Sequence, residues 1–381
     1  MERTIYLDHA ATTPVDARVV EAMLPYFADS YGNPSAVHRL GQQSHHAIVT
    51  AREQVAAVLH CQPDEVVFTG CGSESNNLAL RGVFFARRAR GNHIITSSIE
   101  HPAITNTCNQ LAEQFGADIT TLPVDSFGLV DPTLVEAAIT PRTILITIMY
   151  ANNEVGTIEP IAQIGEIAHR HGVIFHTDAV QAGGQLPLDV DRLNVDLLSL
   201  SAHKFYGPKG VGVLYMRRGV QLLPTLTGGG QEHGYRSGPE NVPYIVGLAT
   251  ALTLAYQDRQ ARNERLIAMR DRLINGVLRS IPDSHLTGHP VQRLPNNASF
   301  CFDRVAADAL LISLDLLGIA ASSGSACHTG SLEPSHVLTA MGVPRERAIG
   351  ALRLTLGNAT TPEDVDYALA VLPDVIARLR R

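Results

Sequence analysis

Residues 196–216 read DLLSLSAHKFYGPKGVGVLYM. Two runs of branched and apolar residues, DLLSLS (196–201) and GVGVLYM (210–216), flank a turn that carries Ala202, His203 and Lys204 ahead of Gly207 and Pro208. Short apolar runs bounded by turn formers are the pattern of buried strands. Toward the amino end the pattern recurs in EVVFT (65–69), HIITS (93–97), TILITI (143–148) and GVIFHT (172–177). Before the last of these, PIAQIGEIAHRHG places Ile161, Ile164, Ile167 and Ala168 at helical spacing and ends on Gly172, so it reads as a crossover helix. Strands alternating with helices predict an α/β fold around a mostly parallel sheet.

Toward the carboxyl end, Gly and Pro thicken between 207 and 243, in YGPKG, TGGGQEHG and RSGPENVP, which reads as ordered loops lining a site. From about 244 to 277 the pattern predicts a long helix leading into a second domain. There, strand-like NASFCF, helical DALLISLDLLG (308–318), a Ser/Gly loop at 322–330, a helix from near Pro334, strand-like ALRLTL (351–356) and a helix after Thr361-Pro362-Glu363 follow. At 381 residues the chain is long enough for a large and a smaller domain. We place the large one at 15–255 and the small one at 256–381, completed by 1–14.

The net charge of −7 is spread without long runs, which argues against an extended nucleic-acid footprint. No apolar stretch is long enough to span a membrane, and MERTIYLDHA has neither the basic start nor the apolar core of a signal peptide, so a cytoplasmic location is expected. The five cysteines, Cys61, Cys71, Cys108, Cys301 and Cys327, contain no CxxC pair, so neither a disulfide framework nor a structural zinc site is encoded; no metal is expected.

Lys204 follows a strand directly, at the sheet edge where open α/β folds bind ligands. An amine there is suited to a Schiff base with a carbonyl cofactor, or is an ordinary surface lysine. Asp178 ends the preceding strand and either holds a pyridine ring nitrogen protonated or caps a turn; Gln181, three residues on, faces the same side if that turn is helical. TGCGSESNNLAL offers Gly72 and Ser73 at a helix start, a place for phosphate or a plain cap. The third glycine of the dinucleotide fingerprint is missing, and GPKGVG is no GxxxxGK[ST] loop. His101, before Pro102, is placed to stack on a planar cofactor and move protons, or is structural; Asn152-Asn153-Glu154 ends another strand at the same rim. Cys327, in AASSGSACHTGSLEPSHVL, is either an accessible nucleophile or an incidental loop thiol, with His328 or His336 as candidates to tune it. Arg353 has the planar fork that suits an amino acid's carboxylate, or makes a surface ion pair. His9 and Asn33 read as shaping the entrance.

Taken together, YLDHAATTP, FTGCGSESNN, EHPAI, ANNEVGTIEP, HTDAVQAGG, LSLSAHKFYGPKGVGVLY, GGGQEHGYRSG, SSGSACHTGSLEPSHVLTAMG and LRLTLG make the chain resemble, over nearly its whole length, the cysteine desulfurases of the NifS/IscS type, in the class-V aminotransferase branch of fold type I. The resemblance implies the PLP-dependent transferase fold type I, with a large domain on a mixed, mostly parallel seven-stranded sheet and a smaller α/β domain. It also implies pyridoxal 5'-phosphate as cofactor, L-cysteine as substrate, a homodimer, and an iron-sulfur scaffold protein or other sulfur acceptor as partner. By matching motif, Lys204 is similar to the Schiff-base lysine and Asp178 and Gln181 to the partners of the ring nitrogen and phenolic oxygen. Gly72, Ser73, Ser201 and His203 are similar to the phosphate-holding residues, and His101 to the stacking residue. Asn153 matches the asparagine on cofactor and substrate, Arg353 the arginine for the substrate carboxylate, and Cys327 the persulfide carrier.

The implied reaction strips sulfur from L-cysteine, leaves alanine and loads a persulfide on Cys327. A selenocysteine lyase or aminotransferase of the same fold would share Lys204 and Asp178; a nicotinamide dehydrogenase and a non-catalytic sulfur-transfer scaffold are the rivals of other classes. One departure stands out. Where the family motif runs Arg-Ser-Gly-Thr, this chain has Arg236-Ser237-Gly238-Pro239. The family's threonine reaches the neighbouring subunit's phosphate, and proline has neither the hydroxyl nor an N–H to do so.

Overall fold

A computed structural model describes residues 4–324 and 334–380. Among them the strands are, in chain order, β1 (Ile5–Tyr6), β2 (Val66–Thr69), β3 (His93–Ser97), β4 (Asp118–Leu122), β5 (Thr143–Thr147), β6 (Ile174–Asp178), β7 (Leu197–Ser201), β8 (Gly212–Met216), β9 (Ser284–Leu286), β10 (Asn297–Phe302), β11 (Ile319–Ala320) and β12 (Ala351–Thr355). The main sheet has seven strands in the order β2-β8-β7-β6-β5-β3-β4. From β7 through β6, β5 and β3 to β4 every pair is parallel, while β8 runs antiparallel to both of its neighbours.

Strands β5 to β8 are buried along their whole length, which explains why they read as continuous apolar runs and not as alternating ones. One face packs against the helices Gly72–Arg87 and Pro102–Phe115 through Leu78, Val83, Phe84, Ile104 and Leu111. The other face packs against Arg39–Leu59, Ile161–Arg170 and Val242–Gln257 through Val55, Ile164 and Leu248. The connection 202–211 is shorter than the roughly dozen residues a parallel crossover needs, so β8 returns antiparallel and Lys204 stays at the sheet edge.

A second core gathers Leu7, Leu273, Phe300, Leu352 and Leu372. It is built from the helix Arg259–Ser280, the antiparallel sheet β12-β10-β9 and the terminal helix Pro362–Leu379. The amino end joins it, as β1 pairs in parallel with β11.

Three expectations need revision. The helical stretch read from 244 to 277 is two helices, Val242–Gln257 and Arg259–Ser280, meeting at Asp258 (φ −91°, ψ 5°). Strand β4 was not anticipated; its DITTL is polar and half-exposed because it is an edge strand. The helix placed near Pro334 begins at His336, with the Ser335 hydroxyl as its cap.

Candidate active site

The carboxyl ends of β2, β3, β5, β6 and β7 open toward β12 and the segment 8–13, and between them lies a cavity of about 260 Å³. Lys204, His101, Gly72, Ser73, Asn153, Asp178, Gln181, Ser201, His203 and Arg353 all line it. Cys327 and His328 lie outside the described residues. His9 and Asn33 do not reach the cavity: the buried His9 ring pairs with the Thr355 carbonyl at 2.9 Å, and the Asn33 side chain accepts from the Ser35 amide. The neighbours of His9, Ala10 and Ala11, form the wall instead.

Lys204 ends a single 3₁₀ turn, Ala202–Lys204, that follows β7. Its Nζ donates to the carbonyls of Ala10 (2.6 Å) and Ala11 (2.9 Å). Gln181 Nε2 gives its hydrogen bond to the same Ala10 carbonyl at 2.9 Å, so Gln181 and Lys204 converge on one acceptor. The turn after Asp178 is helical, with Ala182 and Gly183 amides donating to the Ala179 carbonyl, as the placement of Gln181 requires.

Asp178, the last residue of β6, is fixed by two donors, Asn76 Nδ2 at 2.7 Å and the Val180 amide at 3.0 Å. His101 caps the helix Pro102–Phe115, its Nδ1 accepting from the Ala103 amide at 3.1 Å. That bond leaves the proton of a neutral ring on Nε2. Burial lowers the His101 pKa, against the pull of Asp178 and together with the repulsion of Lys204 and His336. Burial likewise pushes His203 down to about 4. Both rings are therefore neutral at pH 7.

Arg353 is buried at 2% exposure on β12. Its Nη2 pairs with Asp8 Oδ1 at 2.7 Å, and Nη1 donates to the carbonyls of Asn153 (2.9 Å) and Gly324 (3.3 Å). Among the described residues its Nε has no partner. Of the cysteines described, Cys61, Cys108 and Cys301 are pushed up to about 12 by burial, and Cys71 lines the cavity.

Residues 5–368 match the family described as aminotransferase class-V. The chain is 53% identical to a cysteine desulfurase IscS of Methanosarcina thermophila, over 99% of this chain and 93% of that one. Among solved structures, a NifS-like protein superposes with a TM-score of 0.93 at 38% identity, covering 98% of this chain and all (100%) of the other. The structure titled SspA in complex with cysteine superposes at 0.83 with 41% identity, over 93% of this chain and 99% of that one. The chain belongs to the cysteine desulfurases of the class-V aminotransferase family.

Cysteine desulfurases of this family depend on pyridoxal 5'-phosphate, and the residues present fit that group. Gly72 opens the helix Gly72–Arg87, and its N-cap Cys71 makes no side-chain hydrogen bond to the first-turn amides, which suits an anion. A Cβ at Gly72 would meet Val180 Cγ2 at 2.8 Å and Ser201 Cβ at 3.2 Å, so glycine lets the helix start sit this close to the two turns that line the cavity beside it. An amine, a carboxylate on the adjacent strand, a neutral imidazole and a helix start thus face one space.

Sequence reasoning missed Asn76 and gave Ala10 and Ala11 no role. Asn76 left a signal: with Leu80 and Val83 it forms the helix stripe that faces the sheet, where an amide stands in place of an apolar side chain. The backbone carbonyls of Ala10 and Ala11 left none.

Proposed function

We propose that the chain takes L-cysteine as substrate at this cavity, releases alanine and hands the sulfur on as a persulfide of Cys327. The observation that carries the reading is the meeting of Lys204, Asp178 and Arg353 around one cavity. Bound pyridoxal phosphate supplies a carbonyl for an amine and a ring that accepts electrons. Lys204 would offer that amine and, when free, the base for the substrate's α proton, with the Ala10 and Ala11 carbonyls placed to receive its ammonium form. Asp178 would hold a proton on the ring nitrogen, and Arg353 would orient the substrate carboxylate. His101 presents Nε2–H to the cavity as a proton carrier.

Cys108 and Cys301 are buried and Cys61 is partly buried, all three with raised pKa values that make them poor sulfur carriers, which supports Cys327. We further propose the division 15–255 and 256–381 with 1–14, supported by the separate second core. A homodimer, a cytoplasmic setting and an iron-sulfur scaffold or other sulfur acceptor complete the reading. Among the described residues no helix is long and apolar enough to cross a membrane.

The test is to reduce the loaded protein with borohydride and map the label, then add L-cysteine to unreduced protein and quantify alanine and the persulfide on each cysteine. Label on Lys204, alanine, and persulfide on Cys327 that disappears in Cys327→Ala are expected. Label without persulfide would move the function to an aminotransferase or lyase, and persulfide on Cys71 would reassign the carrier.

A further inference from the structure

The helix Gly72–Arg87 turns one stripe toward the sheet, and along it Leu80, Val83 and Phe84 are wholly buried. Asn76 occupies the same stripe at 1% exposure. A leucine there would satisfy packing, and an amide in this place carries the cost of desolvating two polar ends. One end is accounted for by the 2.7 Å bond from Nδ2 to Asp178 Oδ2. An ionised carboxylate only accepts, so that bond also fixes which way the amide faces. The other end, Oδ1, has no partner among the described residues and belongs to a side chain lining the cavity.

We infer that Asn76 is a positioning residue that holds the Asp178 carboxylate turned toward the cofactor's ring nitrogen. The Val180 amide ties down Asp178 Oδ1 from its own turn, and Asn76 ties down Oδ2 from the helix across the sheet. With both oxygens bonded, the carboxylate plane is set by two elements. The same helix presents Gly72 and Ser73 at its start, so one rigid element fixes both the anion end of the cavity and the carboxylate at its far side. This inference rests on the cofactor reading given above.

The experiment uses the full chain stripped of cofactor and titrated with two probes, pyridoxal 5'-phosphate and its 1-deaza analogue, in which carbon replaces the ring nitrogen. Wild type is expected to bind the first more tightly. Asn76→Leu should weaken pyridoxal phosphate by roughly ten- to a hundredfold, the usual worth of a hydrogen bond to a charged group, and change the deaza analogue by less than about threefold. Asn76→Asp supplies a near-isosteric control. At low pH its protonated carboxyl still donates to Asp178 and binding is kept; as pH rises the two carboxylates repel and affinity for pyridoxal phosphate falls, a dependence Asn76→Leu lacks. Glu100, His101, His203, Lys204, His336 and Arg353 also face or back this cavity; they are common to both variants, so the difference between the variants removes them. Equal weakening of both probes, or none in either variant, overturns the role of Asn76. Wild type that binds neither probe, or both alike, overturns the cofactor reading beneath it.

Discussion

At the scale of single residues, Glu100 is a carboxyl group held in a buried setting. It is fully buried, its Oε1 accepts from Ser97 Oγ (2.6 Å) and the Met149 amide (2.9 Å), and burial pushes its pKa from the ordinary 4.5 to about 8. The folded chain therefore binds a proton at Glu100 between those values that the unfolded chain releases. The stability it contributes is full below 4.5 and is lost as pH rises toward 8. Glu100→Gln keeps the acceptor oxygen and removes the titration. Its unfolding free energy should match wild type at pH 4.5 and exceed it at pH 9 by a few kcal/mol, read from urea unfolding of the cofactor-free protein; parallel pH profiles would contradict this.

Pro239 makes a prediction of the same scale. Arg236 ties its segment to Glu74 at 3.0 Å, and Glu74 in turn accepts from the Gly70 amide at 2.8 Å, so the RSGP stretch is held in place on its own chain, and in the family's dimer its last residue faces the neighbouring subunit's phosphate. Pro239→Thr restores the hydroxyl of the family motif and should slow release of pyridoxal phosphate by about tenfold or more if it gains one charge-assisted bond. Release followed by loss of visible absorbance during dilution checks it, and equal rates would show that the proline costs nothing.

Elements were legible wherever both faces are covered, since apolar runs such as TILITI and DLLSLS have few other fates. The terminal helix was legible from Thr361-Pro362, and it carries a capping box between Thr361 and Asp364. Strand β4 and the pairing of β1 with β11 were not, because an edge strand is half solvated and a two-residue strand has no period. In the site, the residues at strand ends were readable, as position on the strand already aims them at the rim. Asn76 and the carbonyls of Ala10 and Ala11 depend on distant partners and were not. The Gly-rich loop had to be seen as well. Glu232, at 2% side-chain exposure, forms a two-pronged pair with Arg52, accepts from the Phe68 amide at 2.9 Å and sits at φ +45° beside His233 at +56°. Glu232→Ala leaves Arg52 buried and unpaired, and should cost about 3–5 kcal/mol in urea unfolding. The double change Arg52→Met with Glu232→Leu should recover most of that loss, and failure to recover would mean the pair is needed for more than its own neutralisation.

For the molecule as a whole, the segment 7–13 links the second core to the lysine. Leu7 is buried in that core; its carbonyl accepts from the Thr355 amide at 2.7 Å, and the Ala10 amide donates to Thr355 Oγ1 at 2.9 Å. Three residues later the chain is bound to the turn that follows β7, Thr13 donating to the His203 carbonyl through its amide (2.9 Å) and its hydroxyl (3.0 Å). Between these anchors lie the two carbonyls that hold Lys204 Nζ, so packing around Leu7 sets where the amine rests. Leu7→Ala should lower stability by about 2–5 kcal/mol, as cavity-forming changes do, and also slow the attachment of added pyridoxal phosphate to Lys204. Leu372→Ala empties the same core from the terminal helix, outside the segment 7–13, and should cost comparable stability while leaving attachment unchanged. Borohydride trapping at timed intervals reads the attachment rate. If both variants slow it equally, the amine senses the stability of the core in general; if only Leu7→Ala does, the amino-terminal segment carries the connection.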